Sequence, residues 1–298
     1  VPVEAIHIST FQDSFARLRL PAVLRHDRMR DLGRMGSLVI DFPYFDRYPV
    51  GVARYLLKLP TAVSHWGGAL HHGNPSLMAR AILEHAKQHL RTSSELGAKV
   101  LAVGLGFVSH LAVDATMHPF VNRLARARAA RLGDSPLRQH SEIEKFQSVL
   151  FHEARNGFDF MGTQALGAHI QVPTVEAYRD DAIFEALCDG LTRAVGEAPS
   201  RPLLTRWARG YAQHAWFIAT PAGKLLVPEA MKPRVREELF EGPWGTFQAV
   251  YDASVDASEA AMDAALAFVE RDDEAAFLSA VPQGPIDDLV PEPIDKAA

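Results

Sequence analysis

Cysteine is nearly absent from this chain of 298 residues: Cys188 is the only one. That excludes an intramolecular disulfide framework and any thiolate metal cage. In Phe184-Glu-Ala-Leu-Cys-Asp-Gly190 it reads as a small packed hydrophobe. Excess positive charge is missing as well. A net charge of −5 and a pI near 6.2 argue against a general polyanion-binding surface and a stable nucleic-acid partner. They leave room for a phosphate bound locally at a cationic metal site. No apolar run approaches the roughly 20 residues of a membrane span, and the first residues lack a secretory-leader profile. The expectation is a cytoplasmic protein with no transmembrane segment, or a secreted form whose leader has been removed, which Val1 as first residue fits. Strand alternation and internal repeats are absent, and no serine or cysteine sits in a nucleophile motif, so covalent acyl chemistry lacks support.

What is present is an ordinary globular bulk and an unusual number of histidines. Hydrophobic content of 48% and charged content of 22% suffice for a sizeable core. The histidines number 13, and they suit zinc, which accepts imidazole and carboxylate ligands readily.

The most informative stretch is Gly104-Leu-Gly-Phe-Val-Ser-His-Leu-Ala-Val-Asp-Ala-Thr-Met-His-Pro-Phe-Val121. His110, Asp114 and His118 recur at steps of four, and each step advances only about 40° around a helix, so the three share one stripe. Their neighbours Leu101, Val103, Phe107, Val108, Leu111 and Val113 are those of a buried helix. Buried ionisable groups are normally paired or bound to metal. Gly104 and Gly106 cost helix propensity but let another helix or a metal loop come close.

Around it, helical patterns cover residues 76–90, Ser94 to the bond before Pro119, 137–152, 175–195, 203–219, 229–241 and 244–270. Thr92-Ser-Ser-Glu95 reads as the capping box of the long helix. Residues 157–174 read as loop. The fold class is all-α, with a single helical domain over residues 1–280, candidate ligands confined to 1–155, and an acidic, proline-rich tail over 281–298 expected to be disordered.

Other histidines and carboxylates complete the inventory. His7 lies near the start, and Asp41 ends the apolar run Gly36-Ser-Leu-Val-Ile-Asp41, just before Pro43. Ser64-His-Trp-Gly-Gly-Ala-Leu-His-His-Gly-Asn-Pro75 reads as a ligand-bearing loop offering His65, His71 and His72. His140 and Glu144 are four apart, whereas Glu142 points away from His140. His26-Asp27 matches the dipeptide of HD-domain phosphohydrolases, but its charged surroundings mark a solvated face, as do those of His85 and His89. From spacing alone, His110 and Asp114 can clamp one metal with Asp41 and a histidine of the 65–72 loop. His118, His140 and Glu144 form a catalytic-type triad with one position left for water. Asp114, having two oxygens, can bridge to a further ion at His7 and the N-terminal amine.

These motifs, in this order, resemble the signature of the zinc-dependent phospholipase C family: His7, Gly36-Ser-Leu-Val-Ile-Asp41, Gly106-Phe-Val-Ser-His-Leu-Ala-Val-Asp-Ala-Thr-Met-His-Pro119 and His140-Ser-Glu-Ile-Glu144. That family is all-helical, binds three zinc ions and is similar in fold to the fungal single-strand-specific zinc nucleases. The resemblance covers roughly the first half of the chain. It implies Asp41, His110, Asp114 and a loop histidine on one zinc; His118, His140 and Glu144 on a second; and His7, Asp114 and the backbone of Val1 on a third. His71 is favoured for the loop ligand because Ala-Leu-His before a new helix resembles compact bacterial members; His65 is the runner-up. Secreted members chelate through a terminal tryptophan, whereas this chain begins Val1-Pro2.

The implied activity is hydrolysis of a phosphodiester, with a phospholipid head group favoured, peripheral membrane contact and two to three Zn2+ ions. Asp41 would orient or deprotonate the attacking water, and Phe42, Tyr44 and Trp66, near the ligand loops, would be substrate-binding rings serving either a lipid head group or a base. A single-strand nuclease and a non-catalytic, metal-stabilised helical protein are the alternatives.

Overall fold

The apolar stretch around His110 becomes the central helix of an all-α protein. The computed structural model describes residues 4–57, 64–242 and 246–287. In chain order its helices are α1 (Glu4–Phe15), α2 (Asp27–Gly36), α3 (Tyr48–Leu56), α4 (His65–His72), α5 (Ser76–Leu90), α6 (Ser94–Leu132), α7 (Pro136–Asn156), α8 (Gln164–Ile170), α9 (Asp181–Val195), α10 (Arg201–Ile218), α11 (Lys232–Phe240), α12 (Phe247–Arg271) and α13 (Glu274–Ala280). Among the described residues there is no strand.

Helix α6 runs for 39 residues, with Ser93 capping its start by accepting from Leu96 N–H. Its end is Gly133, at φ 66°, a left-handed conformation that a residue without Cβ adopts freely. The helix does not stop before Pro119, as its sequence predicts, but carries the proline inside. A proline frees the carbonyl four residues earlier, here that of Ala115. Ala115 and Pro119 both lie on the exposed side of α6, where water can satisfy that carbonyl. On the opposite side Phe120, Val121, Leu124 and Ala125 continue the buried face.

The reading of apolar runs needs a second correction. One 18-residue window of α6 is long and apolar enough by composition to cross a membrane, but 94% of that window is buried within the protein. Helices α2, α5, α7 and α12 supply that cover. On the α2 side the approach is backbone to backbone at Gly36 and Gly106. On the α12 side, Ser258 Oγ donates to Ser109 Oγ at 2.7 Å and lies 2.8 Å from Ser14 Oγ, so a chain of buried hydroxyls links α12, α6 and α1. Within residues 175–280 only α12 packs broadly on α6, whereas α9 lies on α5, α10 on the segment Phe42–Phe45 and α11 on α7.

Three further expectations change. Residues 65–72 form the helix α4 rather than a loop, and α8 lies inside the stretch read as loop. The first part of the tail is seated, not disordered: Val281 and Ile286 are buried, and Ile286 N–H donates to the His71 carbonyl at 3.0 Å. Residues 288–298 lie outside the described residues, as do Val1 and Trp244. Trp207 and Phe247 are core residues, whereas Trp216 is 71% exposed.

Apart from the metal candidates, α7 buries His152 beside α8. Its Nδ1–H donates to Ser148 O (2.7 Å), and Ser9 Oγ is 2.9 Å from Nε2. Burial, with nearby His169 adding to it, lowers the His152 pKa to about 3. The unfolded chain therefore binds a proton near pH 6.5 that the native protein refuses until about pH 3. The stabilisation is full above pH 6.5 and declines as pH falls towards 3, by about 1.4 kcal/mol per pH unit at most. His152→Gln should accordingly flatten the stability profile between pH 7 and 5 by about 2 kcal/mol. Denaturant titrations at both pH values measure this, and parallel profiles for the two proteins would refute it.

Candidate metal centre

The histidines and carboxylates singled out above converge from five parts of the chain. His7 comes from α1, and Asp41 from the turn before the 3-10 segment Phe42–Phe45, where its carbonyl accepts from Tyr44 N–H. His71 lies in the last turn of α4, ahead of Gly73. His110, Asp114 and His118 stand on one buried stripe of α6, and His140 and Glu144 face them from α7. Among the described residues, three sets have ligand atoms within 4.8 Å of one another: His7, Asp41 and His110; His71, His110 and Asp114; and His118, His140 and Glu144.

Asp114 lies at the junction. Its Oδ2 is 3.0 Å from His110 Nε2 and 3.7 Å from His71 Nε2. The other oxygen, Oδ1, is 3.4 Å from His7 Nε2 and 3.7 Å from His118 Nε2. One oxygen thus serves the His71–His110 side and the other the His7–His118 side, the arrangement a bridging carboxylate requires. His71 Nε2 is also 3.2 Å from Asp41 Oδ1. In the second triad Glu144 Oε1 lies 3.0 Å from His140 Nε2 and 3.5 Å from His118 Nε2.

These separations fit ligation. Bonds of about 2.0–2.1 Å in a tetrahedron place neighbouring ligand atoms about 3.3 Å apart. His110 Nε2 is close to Asp114 Oδ2 but makes no aligned hydrogen bond to it, as expected for two ligands of one ion. The outer nitrogens give an independent sign. Nδ1–H of His71, His110 and His118 donates to the carbonyls of Gly67 (2.9 Å), Ser37 (2.8 Å) and Ile286 (2.7 Å), and that of His140 to Asn122 Oδ1 (2.5 Å). Each bond directs Nε2 towards the cluster, the outer-shell pattern of metal-ligating histidines. His7 differs, since its Nδ1 is buried without a hydrogen bond.

Electrostatics points the same way. Burial opposes charge on His110 and His118, but Asp114, with Asp41 for the former and Glu144 for the latter, outweighs it, raising them to about 9 and about 10. Burial and the neighbouring His110 lower His7 to about 4. Burial would raise Asp114 and Glu144, yet the histidines around them hold both carboxyls well below their usual range. The carboxylates are therefore ionised and ready to accept a cation, which would replace the imidazolium protons. With no thiolate present, the donors suit a borderline cation, and His118, His140 and Glu144 would supply three of the four ligands of a tetrahedral ion.

The remaining candidates separate clearly. His65 is an exposed residue 3.7 Å from Glu197, away from the cluster. His72 turns its Nδ1–H to the Asp287 carbonyl at 3.2 Å. Phe42 is fully buried and stacks on Tyr211 at 4.9 Å, and Trp66 packs edge-on against Trp207. Both rings belong to the core rather than to a substrate surface. Only Tyr44 of the three reaches the surface: it is 43% exposed, with its hydroxyl 3.3 Å from His71 Nδ1. Burial, with Asp41 and Asp114 close by, pushes its pKa up, so the phenol remains neutral. Val1 falls outside the described residues.

Asn122 was not anticipated, although the step of four through His110, Asp114 and His118 reaches it if extended once more. Comparison with known protein families, characterised proteins and solved structures finds no match for this chain. The class that fold and site define is an all-helical protein with buried histidine–carboxylate groups able to hold metal ions.

Proposed function

We propose that the protein is a zinc-dependent phosphodiester hydrolase of the phospholipase C type. The observation that carries this reading is Asp114, whose two oxygens face different ligand groups beside the three-residue group His118, His140 and Glu144. A structural ion is normally enclosed by four protein ligands, whereas adjoining groups that share a carboxylate suit a clamp on phosphate. Bound there, zinc would lower the pKa of water towards about 7 and screen phosphate charge. The chain's own residues do the rest. Asp41, only partly buried beside His71, orients the attacking water and takes its proton. Asp114 and Glu144 supply fixed negative charge on either side, and Tyr44 lends a neutral hydroxyl beside His71.

A lipid head group is preferred over a nucleobase as the neighbour of the scissile phosphate. Single-strand binding uses stacked aromatic platforms, and the burial of Phe42 and Trp66 leaves Tyr44 alone of the three rings accessible. Assays on phosphatidylcholine, a chromogenic phosphodiester and single-stranded DNA, each with and without chelator, test the reading. Chelator-sensitive cleavage of the first two is expected; activity that survives chelation would overturn it. His140→Ala should remove one zinc while retaining the helical circular dichroism signal, and an unchanged metal count would defeat the second triad.

A further inference from the structure

The segment after α13 makes more contact with the metal centre than a linker needs to. Gly284, at φ 97°, turns the chain, and its N–H donates to Asn74 Oδ1 at 3.3 Å. Ile286 buries its side chain and donates its N–H to the His71 carbonyl at 3.0 Å, and Asp287 accepts at its carbonyl from His72 Nδ1–H. The strap formed by residues 281–287 is thereby fastened to α4 and to the start of α5.

Two of its atoms reach the second triad. The Ile286 carbonyl accepts from His118 Nδ1–H at 2.7 Å. Asp287 Oδ1 accepts from Asn122 Nδ2 at 3.1 Å, and Asn122 Oδ1 in turn accepts from His140 Nδ1–H at 2.5 Å. The second relay has a direction. A carboxylate only accepts, so it can meet only the NH2 end of the Asn122 amide. That orientation leaves the amide oxygen for His140, which must then hold its proton on Nδ1 and present Nε2 to Glu144 and the ion position. Asp287, Asn122 and His140 form an extended version of the carboxylate–histidine pairing that orients metal ligands.

We infer that the strap is part of the metal centre, with Ile286 and Asp287 acting as positioning residues that fix the imidazoles of His118 and His140 for metal binding. The inference rests on the reading of His118, His140 and Glu144 as one metal's ligands. The strap's bonds that orient ligand rings go to the second site, and at the one formed by Asp41, His71, His110 and Asp114 it meets the His71 backbone carbonyl. His110 takes its orientation from Ser37 and has no direct bond to the strap. Strap docking and metal occupancy at the second site are accordingly linked, each favouring the other.

The test uses the full chain with Asp287→Ala, and Asp287→Asn as the conservative variant that retains an accepting oxygen. Competition with a chromophoric chelator should show one zinc bound about tenfold to a hundredfold more weakly in Asp287→Ala, the usual scale of losing an outer-shell partner. The other zinc sites should be unchanged, and Asp287→Asn should recover most of the loss. A second readout needs no metal. In the stripped protein the His140 ring Nδ1–H should give a slowly exchanging low-field NMR signal that disappears in Asp287→Ala, while the signal from His110 persists. Unchanged affinity and an unchanged His140 signal would overturn the inference. So would a uniform weakening of every site, which would mean a general structural role. Failure of the intact chain to bind zinc would defeat the metal reading instead, and the ring signal would still decide whether Asp287 orients His140.

Discussion

Asp114→Asn should cost the protein more than one metal ion and lower phosphodiester cleavage by about 10²- to 10³-fold, the scale of losing a fixed electrostatic group. The reason is geometric. Asparagine keeps the shape of the side chain but replaces one accepting oxygen by an NH2 donor and removes the charge. Whichever way the amide turns, it offers its donor either to His110 and His71 or to His7 and His118, the nitrogens that stand 3.0–3.7 Å from the two oxygens. One ligand group loses its shared oxygen outright, and the other retains only a neutral one. The same change weakens the metal-free protein. Asp114 is a principal cause of the raised pKa values of His110 and His118, so in the variant both imidazoles should lose protons more readily. Breaking a buried pair costs about 3–5 kcal/mol when one charge is left uncompensated; release of the histidine protons moderates that figure. Elemental analysis after gel filtration reads the metal loss, and denaturant unfolding of stripped protein reads the stability. A variant retaining every zinc would show that Asp114 is not a bridge.

The ease of reading this site from sequence followed the way each residue is held. His110, Asp114 and His118 were legible because a regular helix turns a step of four into a shared direction, and the apolar residues between them indicated burial. His140 and Glu144 were legible for the same reason. His71 was harder to separate from His65 and His72, because the choice depends on α4 being a helix, whose register puts His71 inward and leaves His65 in solvent. Glycines there suggested a loop. Phe42 and Trp66 were assigned outward from sequence proximity alone, whereas tertiary packing against Tyr211 and Trp207 takes them inward. The strap was least visible. Its composition is that of a disordered tail, and two of its bonds to the site use the Ile286 backbone carbonyl and N–H, which leave no mark on residue type. Pro119 misled for a related reason: on the exposed side of a helix held by buried packing, the carbonyl that proline frees can turn to water and the helix continues.

Gly106→Ala provides the other large effect, and there the sign of the change discriminates. In an ordinary exposed helix the substitution would stabilise by about 0.8–1 kcal/mol through propensity. Here a Cβ on Gly106 would lie 1.9 Å from the Gly33 carbonyl oxygen and 2.6 Å from Ser37 N. Both are backbone atoms of the α2 segment, so no rotamer relieves the clash, and α2 must retreat from α6 by over about 1 Å to reach ordinary contact. Overpacking of this kind costs about 1–3 kcal/mol, occasionally more. The retreat also carries away Ser37, whose carbonyl fixes His110 at 2.8 Å. The variant should therefore lose about 2–3 kcal/mol of stability and bind the ion of the His71–His110–Asp114 group more weakly. Gly104→Ala, two residues earlier on α6, supplies the contrast. Its Cβ would meet Leu83 Cδ2 at 2.9 Å and Ile82 Cγ2 at 3.2 Å, side-chain rather than backbone atoms, the nearer being the end of a leucine that can shift. The propensity gain there should offset much of the strain, leaving stability within about 1 kcal/mol of the parent and the metal affinities unaltered. Thermal unfolding and zinc competition on the two variants separate a tight helix crossing that sets the site from glycines that are merely tolerated. Equal behaviour of the pair would show that the α2–α6 contact does not position His110.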